Sequence, residues 1–311
     1  MPTRPASGRT ATALAIMLAA ATVCGACLPG GGTARAADAA DAGGPDPVAR
    51  GAYLFNAAGC LGCHTDEKGG GKPLAGGRAL ATPFGTFYPP NITPDPRHGI
   101  GRWSDADFIR AFREGRAPDG SRLYPAFPYP SYTRMTDRDL LDLKAYLFSR
   151  EPVAAPNRPH DLSIPFSWRF LLAGWQWLYF DQRGPRPDDA AKPPEWNRGR
   201  YLVDALGHCG ECHTPRTLFG GAEGDRYLAG NPKGPNGDKV PNITPHPRSG
   251  IGGWTPGDVA LLLEMGLTPE GDVVGNAMAE VVRNSTSKLT AEDRSAIAAY
   301  LQSLPPVGPP P

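Results

Sequence analysis

The stretch Cys60-Leu-Gly-Cys63-His64 recurs as Cys209-Gly-Glu-Cys212-His213, about 150 residues further along a chain of 311 residues. Two cysteines three positions apart can both form thioether bonds to one porphyrin, and the histidine that follows can reach the iron as its proximal ligand. A single copy of this pentapeptide also fits a zinc knuckle or a thioredoxin-type redox pair. Because the surrounding sequence is repeated as well, we interpret the two copies as attachment sites for two covalently bound haem c groups.

The agreement between the two halves extends well beyond the pentapeptide. Similar residues recur about ten positions before each motif, and others follow it at a constant offset of 151 residues. The matching pairs are Arg50-Gly-Ala-Tyr-Leu54 with Arg198-Gly-Arg-Tyr-Leu202, Pro90-Asn-Ile-Thr-Pro94 with Pro241-Asn-Ile-Thr-Pro245, and Gly99-Ile-Gly-Arg-Trp103 with Gly250-Ile-Gly-Gly-Trp254. A repeat of this length predicts two domains of ordinary size.

Capping signals predict helices at the same places in both halves. A hydroxyl followed three residues later by a carboxylate satisfies free backbone N–H groups and complements the helix dipole, and a glycine is a common helix end. The signals are Ser104-x-x-Asp107 and Thr255-x-x-Asp258 for one helix, Gly115 and Gly266 for its end, and Thr136-x-x-Asp139 and Thr290-x-x-Asp293 for the last helix. No segment of useful length alternates with the period of a strand, so the sequence predicts an all-α fold.

With these motifs the sequence resembles the class I cytochromes c, in the tandem form found as cytochrome subunits of bacterial periplasmic dehydrogenases such as quinoprotein alcohol dehydrogenases and molybdenum enzymes. The resemblance implies two tandem class I cytochrome c domains, at residues 37–150 and 195–311, joined by an aromatic and proline-rich linker at 151–194. It also implies that a glycine on the first helix lets an aromatic residue of the last helix cross closely. The matching pairs are Gly51 with Tyr146 and Gly199 with Tyr300.

The first 36 residues have the parts of an export signal. Arg4 and Arg9 precede an apolar stretch that is too short to span a bilayer, and Ala34-Arg-Ala36 is a cleavage site of the small-x-small kind. We therefore expect residues 1–36 to be removed and the mature protein to be periplasmic. The alternative is a lipid anchor at Cys27. Since Leu28 follows Cys27, the pair Cys24 and Cys27 is not a third haem site.

The sixth iron ligand differs between the halves. In the second half Met278, on an expected loop 65 residues after His213, lies where the family places its methionine. In the first half the resemblance aligns Phe127 with the usual methionine, and a phenyl ring cannot bind iron. Met135 is the only methionine between the two haem motifs and is the candidate ligand. His98, or no protein ligand at all, remains an alternative.

We expect two further groups of residues to have structural or surface roles. The aromatic stretch at 165–180 is short for a membrane span, and we expect a helix that packs between the domains; a surface for a partner or for the membrane is the alternative. Three further histidines have no partner at a spacing typical of a separate metal site. They are His160, His208 and His246.

Composition and motifs favour electron transfer over catalysis. The formal charge is only +1, which does not indicate a nucleic-acid partner, and no catalytic triad or phosphate loop is evident. The resemblance implies a periplasmic dehydrogenase as electron donor and a soluble cytochrome or terminal oxidase as acceptor. Since no third haem motif follows Leu304, we expect a carrier rather than a full quinol-oxidising subunit. The competing hypothesis, motivated by Phe127, is a dihaem thiosulfate dehydrogenase or peroxidase with a catalytic first haem.

Overall fold

The computed structural model describes residues 46–234 and 237–308. These residues belong to one compact unit of the chain. The expected export signal at 1–36, with its cleavage site and Cys27, lies outside the described residues.

The two sequence repeats contain matching sets of helices. In the first repeat they are α1 (Pro47–Ala57), α2 (Cys60–His64), α3 (Asp105–Glu114), α4 (Tyr129–Tyr132) and α5 (Asp137–Phe148). Between the repeats lies α6 (Leu172–Tyr179), preceded by a 3₁₀ turn, Arg169–Leu171. In the second repeat they are α7 (Pro194–Tyr201), which continues as a π-helical turn (Leu202–Leu206), α8 (Gly210–His213), α9 (Pro256–Met265), α10 (Asn276–Asn284) and α11 (Ala291–Ser303). Short 3₁₀ turns are formed by Gly224–Arg226 and Thr286–Lys288.

The predicted capping signals are confirmed. Ser104 and Thr255 form capping boxes at the start of α3 and α9, and each helix ends at a glycine in the left-handed conformation. Thr136 and Thr290 cap α5 and α11 by accepting from the backbone N–H three residues on. The helix starts were therefore readable from local sequence alone.

The prediction of an all-α fold is wrong in one respect, because the structure contains a small antiparallel sheet. Its strands are β1 (Leu80–Thr82), β2 (Gly85–Phe87) and β3 (Asp161–Leu162), in the order β1-β2-β3. Leu80 pairs with Phe87, and Gly85 pairs with Leu162. Strands of two or three residues are too short to show an alternating pattern. Their pairing depends on tertiary contact between the first repeat and the segment that follows it.

The predicted close crossing of first and last helices is confirmed in both repeats. A Cβ atom added to Gly51 would lie 2.0 Å from the Asp142 carbonyl oxygen and 2.7 Å from the Tyr146 Cβ. A Cβ atom added to Gly199 would lie 1.9 Å from the Ala296 carbonyl oxygen. Only glycine allows helices to approach this closely.

The two repeats contact each other through a pair of equivalent tyrosines, one from each repeat. The Tyr53 hydroxyl donates to Asp293 (2.6 Å) and accepts from the backbone N–H of Thr290 (3.1 Å). The Tyr201 hydroxyl donates to Asp139 (2.6 Å) and accepts from the backbone N–H of Thr136 in the same way (3.2 Å). Each tyrosine therefore reaches the start of the other repeat's last helix, which is the reciprocal pattern of a two-fold interface.

The segment between the repeats contacts both of them. Gln176 of α6 donates to the carbonyl oxygen of Glu114, and the Trp175 indole N–H donates to the carbonyl oxygen of Phe219 (3.0 Å). The opposite face of this segment is exposed, with Phe170 at 70% and Trp177 at 84%. None of the helices that the structure describes is long and apolar enough to cross a membrane.

Candidate haem-binding sites

Each Cys-x-x-Cys-His motif forms a single short helical turn. Cys60 to His64 make up α2, and Cys209 lies immediately before α8, which ends at His213. On a helix, residues three and four positions apart share one face. Both cysteines and the histidine of a motif therefore lie on one side, as attachment to one porphyrin requires.

The ring orientation of both motif histidines is fixed by a backbone carbonyl. The Nδ1 atom of His64 lies 2.7 Å from the carbonyl oxygen of Pro90, and Nδ1 of His213 lies 2.8 Å from that of Pro241. A carbonyl can only accept, so Nδ1 carries the proton and Nε2 keeps its lone pair. This is the usual arrangement of a metal-binding histidine. Burial lowers the pKa of both imidazoles, which keeps them neutral.

A glycine follows each motif histidine at a position that the sequence analysis missed. The N–H of Gly76 donates to the His64 carbonyl oxygen (2.8 Å), and the N–H of Gly230 donates to that of His213 (2.7 Å). Both glycines have φ values in the left-handed region, +76° and +88°. The repeated tripeptide Leu-Ala-Gly, which ends at each of them, was the signal that could have revealed them.

The repeated Pro-Asn-Ile-Thr-Pro segment holds the loop beside the histidine in place. The Asn91 side chain accepts from the Thr93 backbone and hydroxyl (2.9 and 2.7 Å) and donates to the Val153 carbonyl oxygen (2.7 Å). Asn242 bonds to Thr244 in the same way and donates to the Val307 carbonyl oxygen (2.7 Å). Each Pro-Asn-Ile-Thr-Pro segment therefore has two roles. Its first proline orients the haem-motif histidine through the carbonyl oxygen, and its asparagine holds the segment that follows the last helix of the repeat.

Three of the four motif cysteines have a strongly raised thiol pKa. Burial raises the pKa of Cys60 and of Cys209 to about 12, and that of Cys212 to about 11. Among the described residues, no group of three or more His, Cys, Asp or Glu side chains is arranged to hold a bare metal ion. The donor set therefore fits a porphyrin that takes one histidine from the chain.

A continuous cavity of about 2880 Å³ reaches both motifs. Ordinary ligand pockets measure about 300–1,000 Å³, so this one has room for groups as large as porphyrins. It is lined by residues of both motifs and, in the first repeat, by apolar side chains of the core. These include Ile100, Trp103, Phe108, Phe112, Phe127, Leu143 and Leu147. The size and apolar wall fit the cofactors that the motifs predict.

The candidates for the sixth ligand occupy different surroundings. Met135 is fully buried in the core just before α5. Met278 is half-buried and lies on α10, so the expectation of a loop there is wrong. Neither methionine is among the described residues that line the cavity, although Ala277 and Glu280 beside Met278 are.

Phe127, which stands at the position of the family methionine, and His98, the alternative ligand, both lie at the cavity wall. Phe127 packs edge-on against Phe112, with ring centroids 5.0 Å apart. His98 lines the cavity, with its Nδ1 atom 3.3 Å from the Asp95 carboxylate. Phe127 therefore belongs to an aromatic cluster of the core.

The two motifs lie close to each other. The Cys63 thiol is near enough to contribute to the raised pKa of Cys212, although burial is the main cause. The Arg78 guanidinium donates to the Gly62 carbonyl oxygen in the first motif and to Glu280 on α10. On the other side, the Ser131 hydroxyl donates to Glu211 in the second motif (2.8 Å). Each motif therefore packs against a helix of the other repeat.

Comparison with known proteins gives consistent matches. Residues 48–151 match the cytochrome c family. A protein of Cereibacter sphaeroides named diheme cytochrome c-type is 46% identical over 263 residues, which cover 84% of this chain and 86% of the relative. The fructose dehydrogenase cytochrome subunit of Gluconobacter japonicus is 43% identical over 259 residues, 83% of this chain and 52% of the relative. The cytochrome c subunit of the quinone alcohol dehydrogenase of Gluconobacter oxydans is 39% identical over 283 residues, 89% of this chain and 58% of the relative. The chain thus spans little more than half the length of these two dehydrogenase subunits.

Proposed function

We propose that this chain, which belongs to the cytochrome c family and carries two covalently bound haem c groups, is a dihaem electron carrier of the periplasm. A bound haem c supplies one-electron chemistry between ferrous and ferric iron. In this proposal residues 37–150 and 195–311 are tandem class I cytochrome c domains and residues 151–194 link them. Residues 1–36 are the export signal, with lipidation at Cys27 as the alternative.

Each domain is proposed to hold its haem through the same three side chains. Cys60 and Cys63 form the thioether bonds in the first domain, and His64 binds the iron through Nε2. In the second domain these residues are Cys209, Cys212 and His213. The equivalent histidine-to-carbonyl hydrogen bonds at Pro90 and Pro241 support this assignment, because they leave the same nitrogen free in both domains.

Met135 and Met278 are proposed as the sixth ligands. Both precede the last helix of their repeat. Methionine–histidine ligation raises the reduction potential and closes the iron to outside ligands, as a carrier needs. In the first domain this assignment replaces the two alternatives, His98 and an open coordination position.

The observation that carries the proposal is the packing of each motif against a helix of the other repeat. Arg78 bonds to the Gly62 carbonyl oxygen of the first motif and to Glu280 of the second repeat, and Ser131 of the first repeat donates to Glu211 of the second motif. A protein that takes in an electron at one end and releases it at the other needs its two cofactor sites adjacent. Two haem sites that worked independently of each other would not need these contacts between the repeats.

The proposed partners are a periplasmic dehydrogenase as donor and a soluble cytochrome or terminal oxidase as acceptor. The relatives named as cytochrome subunits of fructose and alcohol dehydrogenases support the donor. We place the dehydrogenase on the exposed apolar stripe formed by Phe170, Leu171, Trp177 and Leu178. This stripe adjoins the cavity that reaches both motifs, since Leu171 and Leu178 also line that cavity. Large exposed apolar side chains, tryptophan above all, are typical of binding hot spots.

The docking surface is tested by the rate at which a quinoprotein dehydrogenase reduces the cytochrome in the presence of its substrate. The double variant Phe170→Ser with Trp177→Ser should lower the second-order rate severalfold. The matched control is Met265→Ser with Val273→Ser, which changes two apolar side chains that are also exposed but lie outside the stripe. An unchanged rate in the stripe variant, together with lost cosedimentation with anionic lipid vesicles, would assign the stripe to the membrane surface instead.

The carrier function is tested on the purified holoprotein by optical and EPR spectroscopy, with Met135→Ala and Met278→Ala alongside. We expect two low-spin haems with the near-infrared methionine–haem band, and each variant should lose this band from one haem. Reduction by the dehydrogenase should reach both haems. Turnover of thiosulfate or peroxide by the isolated protein, together with a high-spin first haem, would overturn the carrier in favour of a dihaem enzyme.

A further inference from the structure

His208 holds a backbone conformation that glycine adopts at the equivalent place. The residue before the first haem cysteine is Gly59 in one repeat, with φ of +63°, and His208 in the other, with φ of +38°. Positive φ is strained for a residue with a side chain and is easily reached by glycine. The second repeat therefore keeps a histidine where the backbone alone would favour glycine. Residues held in such conformations are concentrated at functional sites.

The His208 ring reaches out of its own repeat into the first one. Its Nε2 atom lies 3.4 Å from the carbonyl oxygen of Ala58, two residues before Cys60. The ring packs edge-on against Tyr132, with centroids 5.4 Å apart and planes at 85°. The Tyr132 hydroxyl donates to the same Ala58 carbonyl oxygen (3.1 Å). His208 and Tyr132 therefore converge on the backbone that leads into the first motif.

His208 also adjoins the second motif, because it is the residue immediately before Cys209. His208, Tyr132 and Ala58 all line the cavity that reaches both motifs. Glu211 of the second motif also lines it and accepts from Ser131, the neighbour of Tyr132. The imidazole thus occupies the junction between the two haem attachment segments.

We propose that His208 is a positioning residue for electron transfer between the two haem groups, with its ring fixing the spacing of the two motifs. The proposal rests on the proposed carrier function. The strain at His208 is retained because the ring, and not the backbone, is needed at this junction. Glycine would satisfy the fold and leave the gap between the motifs unfilled.

The test compares wild-type holoprotein with His208→Gly and His208→Asn. Both replacements tolerate positive φ, and neither restores the ring. After one-electron reduction of the oxidised protein by pulse radiolysis, electron equilibration between the haems is followed optically. We expect both variants to bind two haems, to unfold at the wild-type temperature or above, and to equilibrate roughly tenfold more slowly, since small misplacements of reacting groups carry large rate penalties.

The outcomes separate this proposal from the carrier function. If wild type equilibrates electrons and both variants do so equally fast, His208 has no positioning role although the carrier function stands. If both variants lose stability and keep the wild-type rate, the ring serves only the fold, and the proposal is overturned. If wild type itself shows no equilibration, the relay between the two haems fails at the level of the proposed function.

Discussion

At the scale of single residues, the haem sites depend on backbone geometry around the motif histidine. A carbonyl oxygen orients each imidazole, and a glycine N–H holds the histidine's own carbonyl oxygen. Gly76 and Gly77 both have positive φ, +76° and +87°, but their surroundings differ. A Cβ atom on Gly76 would lie 2.5 Å from the Pro89 carbonyl oxygen, whereas one on Gly77 would meet nothing within 4 Å. Gly76 and Gly77 therefore share the left-handed backbone conformation and differ in the space available for a side chain, so one serves as the control for the other.

We expect Gly76→Ala to destabilise the protein by about 3 kcal/mol or more, because it combines a strained φ with a backbone clash. Gly77→Ala should cost only about 1–2 kcal/mol, the cost of the left-handed conformation alone. The measurement is thermal unfolding of both variants together with their haem content. Equal losses in the two variants would show that the approach of Gly76 to Pro89 is unimportant.

Asp293 should make stability depend on pH in the acid range. Burial alone would raise the pKa of this carboxyl, but hydrogen bonds from Arg198 and Tyr53 outweigh burial and lower it below the ordinary 3.8. A carboxyl whose pKa is lower in the folded state contributes stability above its unfolded pKa and loses that contribution as the pH falls through the folded value.

Asp293→Asn should therefore destabilise the protein at neutral pH. Below about pH 4 its free energy of unfolding should fall less steeply with decreasing pH than that of wild type. Denaturant unfolding from about pH 3 to about pH 7 measures both effects. The matched control is Asp225→Asn, since this aspartate is exposed. An acid slope in Asp293→Asn as steep as in wild type would contradict the assignment.

At the scale of elements, the close crossing of first and last helices sets the framework of each repeat. Gly51 on α1 and Gly174 on α6 are both helical, but only Gly51 faces another helix at contact distance. Gly51→Ala should cost about 4 kcal/mol or more, because α1 must move away from α5. Gly174→Ala should stabilise by about 0.5–1 kcal/mol through helix propensity. The free energies of unfolding of the two variants provide the check. A small loss of stability in Gly51→Ala would contradict the close crossing of α1 and α5.

At the scale of the whole molecule, the two repeats are joined by a reciprocal pair of tyrosine contacts. Tyr53→Phe and Tyr201→Phe each remove one hydrogen bond to a carboxylate and leave a helix-capping N–H without its partner. Each should cost about 1–3 kcal/mol, and the two losses should be similar because the contacts are equivalent. Denaturant unfolding of the two single variants measures this. A large loss in one variant and none in the other would contradict the two-fold relation.

The positions of the motif cysteines and histidines, the helix caps and the glycine crossings were predictable, because each depends on residues a few positions apart or on a repeated pattern. The small sheet and the helix that carries Met278 were not. The strands have two or three residues, too few to show a period, and α10 begins at Asn276 without a side-chain cap. Both are stabilised by contacts with distant segments, as in the ion pair of Glu280 on α10 with Arg78.

By itself, the sequence determined the two covalent haem groups, the repeated helices and the cytochrome c family, because thioether spacing and helix capping are local chemistry. Only the tertiary structure decided how the repeats meet. It places each motif against the other repeat and sets His208 at their junction, where sequence analysis had treated that residue as structural. The physical reason is that such contacts join residues far apart in sequence, and no local pattern encodes which of them will face each other.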